Sequence, residues 1–599
     1  MKRIVTILSV LFFLIQNSCK EKPSETLDLS ASISEHVENL LSQMSLEEKI
    51  GQMTQAERNA LENIGDIKTY FLGSLLSGGG SSPSVNSTKS WADMYDSYQS
   101  YALQTRLKIP LIYGIDAVHG HNNVIGATIF PHNIGLGCTR NPQLVQQAAA
   151  ITAKEVAATG IDWTFAPCIA TVRNERWGRS YEGFGETPEL SQIMADAAVR
   201  GFQGNTLSEN TTILACAKHF LGDGGTKDGI DQGNTIEDES AIRQLHLPGY
   251  ISAINAGVKS IMISYSSING QKMHGSKYWI TDVLKNELGF KGFIVSDWQG
   301  IDQLGNDYKT NIMISVNAGI DMVMVPNQYK NFIQKLKELV NENRISMERI
   351  DDAVRRILTV KFELGLFEKP YADPSLTSLV GSFSHREVAR QCVRESLVLL
   401  KNKNNFLPLS KNISRIHIAG KSAVDIGNQC GGWTISWQGS SGEITLGTTI
   451  YHAIKNTISK NTQLIYSFNG SGVQSGDVGV LVIGETPYAE YQGDKKNLSL
   501  AQEDITAINN FNAAGIPYVI ILISGRPMII TDVIVNCDAF IAAWLPGTEA
   551  QGIADVLFGD YNFTGKLSHS WPRSMEQIPI NIGDIDYDPL FPYGFGLSY

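Results

Sequence analysis

Short β-rich apolar runs alternate with amphipathic helical stretches from about residue 35 to residue 365. Such alternation is typical of βαβ units, in which crossover helices connect parallel strands. A (β/α)8 barrel of the TIM type is the most economical way to close a stretch of this length into one domain. The sequence therefore predicts an α/β protein with a barrel as its first domain. Its strand candidates are residues 109–115, 163–167, 214–217, 260–264, 293–296 and 320–325.

The barrel block has helical stretches at residues 142–159, 188–202, 239–255 and 277–287, and it ends with a long helix at 331–366.

A second βα alternation follows this long helix. Beyond it, strand candidates lie at 413–419, 463–466, 478–483, 518–523 and 540–544, with helices near 448–458, 501–514 and 550–558. This block predicts an open three-layer α/β sandwich. We expect a signal peptide at 1–18, a tether at 19–35, the barrel at 36–368, a linker at 369–385 and the sandwich at 386–599.

The N-terminus has the pattern of an export signal. Lys2 and Arg3 precede an apolar run over residues 4–15, which is shorter than the ~20 residues of a membrane-spanning helix. Cys19 follows the small residue Ser18, as at the cleavage site of a bacterial lipoprotein, although Gln16 stands where such sites usually carry leucine. We expect an exported protein in the periplasm, or an outer-membrane lipoprotein, of a Gram-negative bacterium. Its membrane contact would be a lipid on Cys19.

The charge balance excludes one class of partner. The chain has 49 Lys+Arg and 60 Asp+Glu, a formal net charge of −11. A polyphosphate or an anionic lipid surface requires a basic footprint, so we expect no nucleic-acid partner.

Beyond Cys19, none of the six cysteines forms a CxxC pair or lies at zinc-finger spacing with histidines. We therefore predict free thiols, no metal and no cofactor. The oligomeric state is left open.

Polar residues follow the predicted barrel strands where each strand ends. Asp116, Lys218 with His219, Tyr265, and Asp297 with Trp298 each come directly after an apolar run. The carboxyl ends of barrel strands form the face on which active sites are built. An acid at a strand end, such as Asp297, can alternatively be a helix cap or an ion-pair partner.

Five ordered motifs identify a family. They are GIDAVHGH at residues 114–121, RWGR at 176–179, AKHF at 217–220, VSDWQG at 295–300 and GGWTISW at 431–437. Together they resemble glycoside hydrolase family 3, in its two-domain branch of β-glucosidases and exo-β-glucanases related to plant β-D-glucan glucohydrolases. The resemblance runs from about residue 36 to residue 599 and includes LISGRP at 522–527.

The resemblance implies a function and assigns roles. It implies a retaining, exo-acting β-glucosidase that removes glucose from the non-reducing end of β-gluco-oligosaccharides or β-glucans by double displacement. Asp297 matches the nucleophile, and Glu490 of the second domain matches the acid/base; Glu485, at a strand end, is the rival acid. The positions that match sugar-contacting residues are Asp116, Arg179, Lys218, His219, Tyr265, Trp298, Trp433 and Trp437. Arg176 and Arg179 could alternatively brace the barrel rim.

Three other functions compete with this interpretation. The β-N-acetylhexosaminidase branch has a loop histidine that is missing from KHFLGDG at residues 218–224. A β-xylosidase is harder to separate, because a pentose lacks only the hydroxymethyl group that Asp116 would help to bind. A non-catalytic glycan-binding lipoprotein would have little reason to keep both carboxylates. Gln299 and Gln303 replace charged residues of the plant relatives, which leaves the preferred linkage open.

Overall fold

The computed structural model describes residues 32–599. The predicted signal peptide, Cys19 and most of the predicted tether lie outside the described residues. Within residues 32–599, no helix combines the length and the apolar character needed to cross a membrane.

Eight short parallel strands form a closed barrel. They are β1 Thr54–Glu57, β2 Ser74–Ser77, β3 Ile112–Ile115, β4 Trp163–Thr164, β5 Cys216–Phe220, β6 Ser260–Ile263, β7 Phe293–Val295 and β8 Val323–Met324. Parallel ladders join β8–β1–β2–β3–β4 and β5–β6–β7. Parallel bridges from Trp163 to Leu214 and from Val295 to Met322 close the two gaps. The predicted barrel is confirmed.

The helices of the barrel domain differ from the predictions at two places. The predicted helix at 239–255 is two helices, because Pro248 lacks the N–H that a continuing helix needs and occupies a first-turn position. The predicted helix at 331–366 is also two, because Asn343 adopts a left-handed φ of 57° between them. The helices are Ile33–Gln43, Leu46–Gln52, Asp66–Thr69, Thr88–Ala102, Asn133–Thr139, Pro142–Ala157, Pro188–Gln203, Glu239–Leu245, Pro248–Asn255, Tyr278–Glu287, Tyr308–Ala318, Tyr329–Asn341 and Met347–Glu363.

Strand β5 also lies later than expected. The apolar run predicts a strand at residues 214–217, whereas the observed strand contains Lys218 and His219. Its register with β6 shifts between Ala217 and Phe220. An irregularity of this kind bends a strand and re-aims its side chains. The two polar residues therefore belong to the strand itself, at its irregular end.

The second domain is an α/β sandwich around one six-stranded sheet. Its strands are β9 Val398–Asn402, β10 Arg415–Ala419, β11 Gln463–Ser467, β12 Val478–Gly484, β13 Tyr518–Ile523 and β14 Ala539–Trp544. They are ordered β9-β14-β13-β12-β10-β11, and the edge strand β9, which the sequence analysis missed, is antiparallel to β14. The helices are Phe383–Ser396, Ile426–Cys430, Ile450–Thr457, Gln502–Ala514, Thr531–Ile534 and Gln551–Leu557.

The two domains share packed surface. The apolar core of the second domain includes Ile134, Cys138 and Tyr181, which belong to the barrel block. The Tyr181 hydroxyl donates to the Tyr488 carbonyl at 2.6 Å. A side chain buried against the other domain resists relative motion, since separating the domains would expose it to water. The loops of the two domains are therefore held in a fixed position relative to each other.

We expect Asp321→Asn to destabilise the barrel. The Asp321 carboxylate is fully buried, lies 2.7 Å from Lys285 Nζ and is also paired with Arg349. Neutralising Asp321 leaves the partly exposed Asp352 as the remaining carboxylate beside Lys285 and Arg349, and breaking a buried pair typically costs about 3–5 kcal/mol. Urea-induced unfolding would measure the loss. Asp196→Asn, which removes a surface pair with Arg200, should cost less than about 1 kcal/mol. Equal losses for the two variants would contradict the prediction.

Candidate active site

A cavity of about 790 Å³ lies at the carboxyl ends of the barrel strands, against the second domain. It brings together residues from all eight barrel strands or their following loops and from two loops of the second domain. All ten residues to which the sequence analysis assigned a substrate or catalytic role line it, namely Asp116, Arg179, Lys218, His219, Tyr265, Asp297, Trp298, Trp433, Trp437 and Glu490.

Asp297 lies two residues beyond β7 and faces the cavity. Oδ1 accepts from the Trp298 N–H at 2.7 Å, and the Asp297 N–H donates to His274 Nε2 at 3.0 Å. Oδ2 has no hydrogen-bond partner within residues 32–599. Burial raises the pKa of Asp297 to about 6, against the opposing charges of Arg179 and Lys218. One carboxylate oxygen is thus fixed while the other is unengaged.

Glu490 reaches the same cavity from the second domain. It begins the short 3-10 helix Glu490–Gly493 and has a left-handed φ of 53°. Oε1 lies 3.3 Å from Arg179 Nη1. Burial raises the pKa of Glu490 to about 8, and the nearby Asp297 carboxylate adds to the rise while Arg179 opposes it. Near neutral pH this carboxyl group holds a proton.

Arg179 is the central cation of the cavity. Its Nε and Nη2 donate to the two oxygens of Glu182, each at 2.9 Å, and Nη2 also donates to His219 Nε2 at 3.1 Å. Such a bidentate pair fixes the guanidinium plane. Burial alone would raise the pKa of Glu182, but the Arg179 charge outweighs it and lowers that pKa. By contrast, Arg176 donates to carbonyls of Ile578 and Met575 and braces the rim.

Lys218 and Asp116 form a second charged pair at the base of the cavity. Lys218 Nζ donates to Asp116 Oδ1 at 3.0 Å, and the lysine is only 1% exposed. Burial alone would lower the pKa of Lys218, but the Asp116 carboxylate outweighs it and the pKa is raised. Lys218 therefore stays charged. The pair presents a carboxylate acceptor and an ammonium donor side by side at the cavity.

His219 is held as a neutral ring. Nδ1 lies 2.8 Å from Asp223 Oδ2, and burial lowers the pKa of His219 well below its usual range. Because Arg179 donates to Nε2, the proton of the neutral ring belongs on Nδ1 and is donated to Asp223. His219, Asp223 and Cys168 are close enough to be considered as metal ligands. Both nitrogens of His219 are already engaged, however, so we assign no metal to them.

Five of the aromatic side chains that line the cavity shape its walls. Trp298 follows Asp297, and its carbonyl accepts from the Tyr265 hydroxyl. Trp433 donates from Nε1 to Glu182 Oε1 at 3.1 Å and lies over Lys218. Trp437 packs at 5.7 Å from the exposed ring of Tyr491. Sugar C–H faces pack well on such aromatic surfaces.

Glu485, the rival acid, does not line the cavity. Its buried carboxylate accepts from the Tyr488 hydroxyl at 2.8 Å and pairs with Lys495 and Arg526. Burial alone would raise the pKa of Glu485, but Arg526 and Lys495 outweigh it and lower that pKa. An acid that remains ionised and paired in this way supports the backbone near Glu490.

Several site residues were missed from the sequence. Glu182 and Asp223 lie three and four residues after Arg179 and His219, and this spacing was the available signal. Glu57 ends β1, which was not predicted because Thr54 and Gln55 break the apolar pattern. The other cavity-lining residues not singled out include Asn59, Ser81, Gln232, Asp302 and Tyr491.

Comparison with known protein families identifies the chain. Residues 45–360 match the glycosyl hydrolase family 3 N terminal domain, and residues 397–599 match the glycosyl hydrolase family 3 C-terminal domain. The chain belongs to glycosyl hydrolase family 3. It is therefore a glycoside hydrolase, and the predicted family and enzyme class are confirmed.

Individual relatives agree with this membership. A lysosomal beta glucosidase of Dictyostelium discoideum is 37% identical over 97% of this chain and 78% of its own length. A periplasmic beta-glucosidase of Salmonella typhimurium is 30% identical over 94% of this chain and 80% of its own. The crystal structure of an exo-1,3/1,4-beta-glucanase from a Pseudoalteromonas species is 41% identical, with a TM-score of 0.91 over 95% of this chain and 74% of that one.

Proposed function

We propose that the chain is a retaining, exo-acting β-glucosidase that releases glucose from the non-reducing end of β-gluco-oligosaccharides. One observation carries the proposal. Two carboxyl groups from different domains face one cavity, and their surroundings push their pKa values apart, to about 6 for Asp297 and about 8 for Glu490. Near pH 7 the first is mainly ionised and the second mainly protonated, as a nucleophile and a general acid must be.

The mechanism follows from these protonation states. The unengaged Oδ2 of Asp297 attacks the anomeric carbon while Glu490 protonates the departing glycosidic oxygen, leaving a glucosyl ester on Asp297. Glu490, now ionised, removes a proton from water, which attacks the same carbon and restores Asp297. Two inversions return the original β configuration. Retaining chemistry places the two carboxyl groups about 5–5.5 Å apart.

Glucose recognition would fall to the charged pairs of the inner cavity. Asp116 and Lys218 present an acceptor and a donor side by side at 3.0 Å. Glu182 holds the Arg179 guanidinium so that its Nη1 can donate to a further hydroxyl without reorganising. His219 would accept from a hydroxyl through Nε2 in exchange for its bond from Arg179. Trp298 and Trp437 would hold the next sugar. We propose that one terminal glucose occupies this inner part, as exo action requires.

Replacing each carboxyl group separates the two roles. We expect Asp297→Asn to lose roughly 10⁴-fold or more of kcat, because no covalent intermediate can form. Glu490→Gln should lose about 10²–10⁴-fold of kcat/KM on a glucose disaccharide but much less of kcat/KM on β-glucosyl fluoride, whose leaving group needs no proton. Its kcat should fall on both substrates, because the second step still needs the base. Initial-rate kinetics with both substrates, and NMR of the first-formed anomer, measure this.

Glu485→Gln is the matched control, since its carboxylate lies outside the cavity. It should not show the selective dependence on leaving group that we expect for Glu490→Gln. If Glu485→Gln shows that dependence instead, the acid/base assignment is wrong. If α-glucose forms first, the retaining mechanism is wrong.

The pH profile of kcat/KM should be bell-shaped. Activity needs Asp297 ionised and Glu490 protonated, so it should fall about tenfold per pH unit below about 6 and above about 8. With β-glucosyl fluoride, whose departure needs no proton, kcat/KM should lack the alkaline limb and keep the acid limb in both the wild type and Glu490→Gln. An alkaline limb that survives unchanged in this variant would refute the assignment of Glu490.

The same kinetics address the alternatives. A β-xyloside lacks the hydroxymethyl group of a glucoside, so Asp116 and its neighbours would lose a hydroxyl partner. We therefore expect a higher kcat/KM on the glucoside, and the opposite order would favour the β-xylosidase. A binding protein would turn over neither substrate.

We further propose that residues 1–18 direct export and that Cys19 carries a lipid. The sequence pattern and the periplasmic relative support export, and the small residue before Cys19 supports lipidation. Metabolic labelling with a radioactive fatty acid should mark the wild type, and Cys19→Ser should abolish the label. An unlabelled wild type with an unmodified mature mass would refute the lipid.

A further inference from the structure

The loop that follows strand β2 lies between the two tryptophans of the outer cavity. This glycine loop, Gly78-Gly79-Gly80-Ser81-Ser82, leaves the barrel where β2 ends at Ser77. Its three glycines and Ser81 line the cavity. One tryptophan, Trp298, belongs to the barrel and the other, Trp437, to the second domain.

Each of the first two glycines touches one of these tryptophans. A Cβ added to Gly78 would lie 2.9 Å from Cζ3 and 3.1 Å from Cη2 of the Trp298 ring. A Cβ added to Gly79 would lie 2.7 Å from both Cα and Cβ of Trp437. Carbon atoms in contact are normally about 3.5–4.0 Å apart. The loop backbone therefore fills the space beside both residues, and no larger side chain fits without displacing one of them.

A network of hydrogen bonds anchors the loop to the barrel. The Ser81 hydroxyl donates to Glu57 Oε1 at the end of β1. It accepts from Asn59 Nδ2 at 2.9 Å and from Arg58 Nη1 at 3.2 Å. Arg58 Nη1 also donates to the Ser82 carbonyl at 3.0 Å. The loop is thus fixed independently of the tryptophans that it touches.

On the other side, Trp437 is tied to the segment that carries Glu490. The neighbouring Gln438 exchanges two hydrogen bonds with Ala489, from Nε2 to the Ala489 carbonyl at 3.2 Å and from the Ala489 N–H to Oε1 at 2.9 Å. Trp298 is fixed on the barrel side, because its N–H donates to Asp297 and its carbonyl accepts from the Tyr265 hydroxyl. The glycine loop therefore lies between two fixed side chains, Trp298 of the barrel and Trp437 of the second domain.

We propose that the glycine loop is a spacer that sets the gap between Trp298 and Trp437, and so determines which sugar units the outer cavity accepts. Gly78 and Gly79 are positioning residues, acting through the two indoles. The inference rests on the proposed β-glucosidase function. It predicts that adding one methyl group at Gly78 impairs substrates that occupy the outer cavity more than those that do not.

The test compares Gly78→Ala with wild type on two substrates. A β-1,3-linked glucose disaccharide fills the outer cavity, whereas β-glucosyl fluoride leaves it empty. We expect the ratio of kcat/KM for the disaccharide to that for the fluoride to fall roughly 10-fold to 100-fold. A misplacement of about 1 Å in a group that positions the substrate can lower the rate by up to about 100-fold. Gly249→Ala, at a helix position with room for a Cβ at 3.4 Å, should keep the wild-type ratio.

Two further variants make the test specific. Trp298→Phe removes the ring atoms that the new methyl group would meet, so adding Gly78→Ala to Trp298→Phe should change the ratio by less than about twofold. Ser81→Ala adds no atoms and only removes the hydrogen bonds of the Ser81 hydroxyl. As a single substitution it should also lower the ratio of kcat/KM for the disaccharide to that for the fluoride. An unchanged ratio in Gly78→Ala and Ser81→Ala, or an equal fall with and without Trp298→Phe, would overturn the inference. A wild type inactive on both substrates would instead overturn the proposed function.

Discussion

The active site depends on a backbone contact between the two domains. In the barrel loop at residues 176–179, a Cβ on Gly178 would lie only 2.0 Å from the Glu490 carbonyl oxygen, so only glycine allows this approach. Asp494, four residues after Glu490, accepts from the Gly178 N–H and from the Asp231 N–H, each at 2.8 Å. These contacts bring the glutamate to a cavity that the barrel alone would leave open. Without them the barrel would hold Asp297 and the charged pairs of the inner cavity but not the carboxyl group proposed as the proton donor.

The same arrangement explains why two similar carboxyl groups differ. The ordinary pKa of an aspartate lies slightly below that of a glutamate, burial raises both values, and the neighbouring charges add to the difference. Asp297 accepts from the Trp298 N–H and lies near the cations Arg179 and Lys218, which favour its ionised form. Glu490 shares Arg179 but also faces the carboxylates of Asp297, Asp231 and Glu182, which disfavour a further negative charge. Each proposed role thus follows from local electrostatics, and the domain contact fixes those surroundings.

Much of this could be predicted from the sequence, because strand-end residues are encoded locally. Asp116 and Asp297 follow apolar runs that alternate with helices, and the ordered motifs located the remaining residues. What could not be predicted depends on tertiary contact. Lys218 and His219 belong to β5 because of a register shift against β6, which no local pattern indicates. Glu182 and Asp223 matter only because Arg179 and His219 are buried beside them, and a carboxylate three or four residues away is more often solvent-exposed.

The inner and outer parts of the cavity are held by different kinds of interaction, and this difference has a consequence for selectivity. The inner part is fixed by buried charge pairs, such as Arg179 with Glu182, whose directional bonds would, in the proposed function, reject a sugar with a hydroxyl missing or misplaced. The outer part is bounded by indole faces, which would hold the next sugar of the proposed substrate by non-directional packing and tolerate rotation about the glycosidic bond. Its selectivity must then come from the width of the gap rather than from hydrogen bonds. That width is a property of backbone contacts at Gly78 and Gly79, so the choice of linkage can change without disturbing the groups proposed to perform the chemistry.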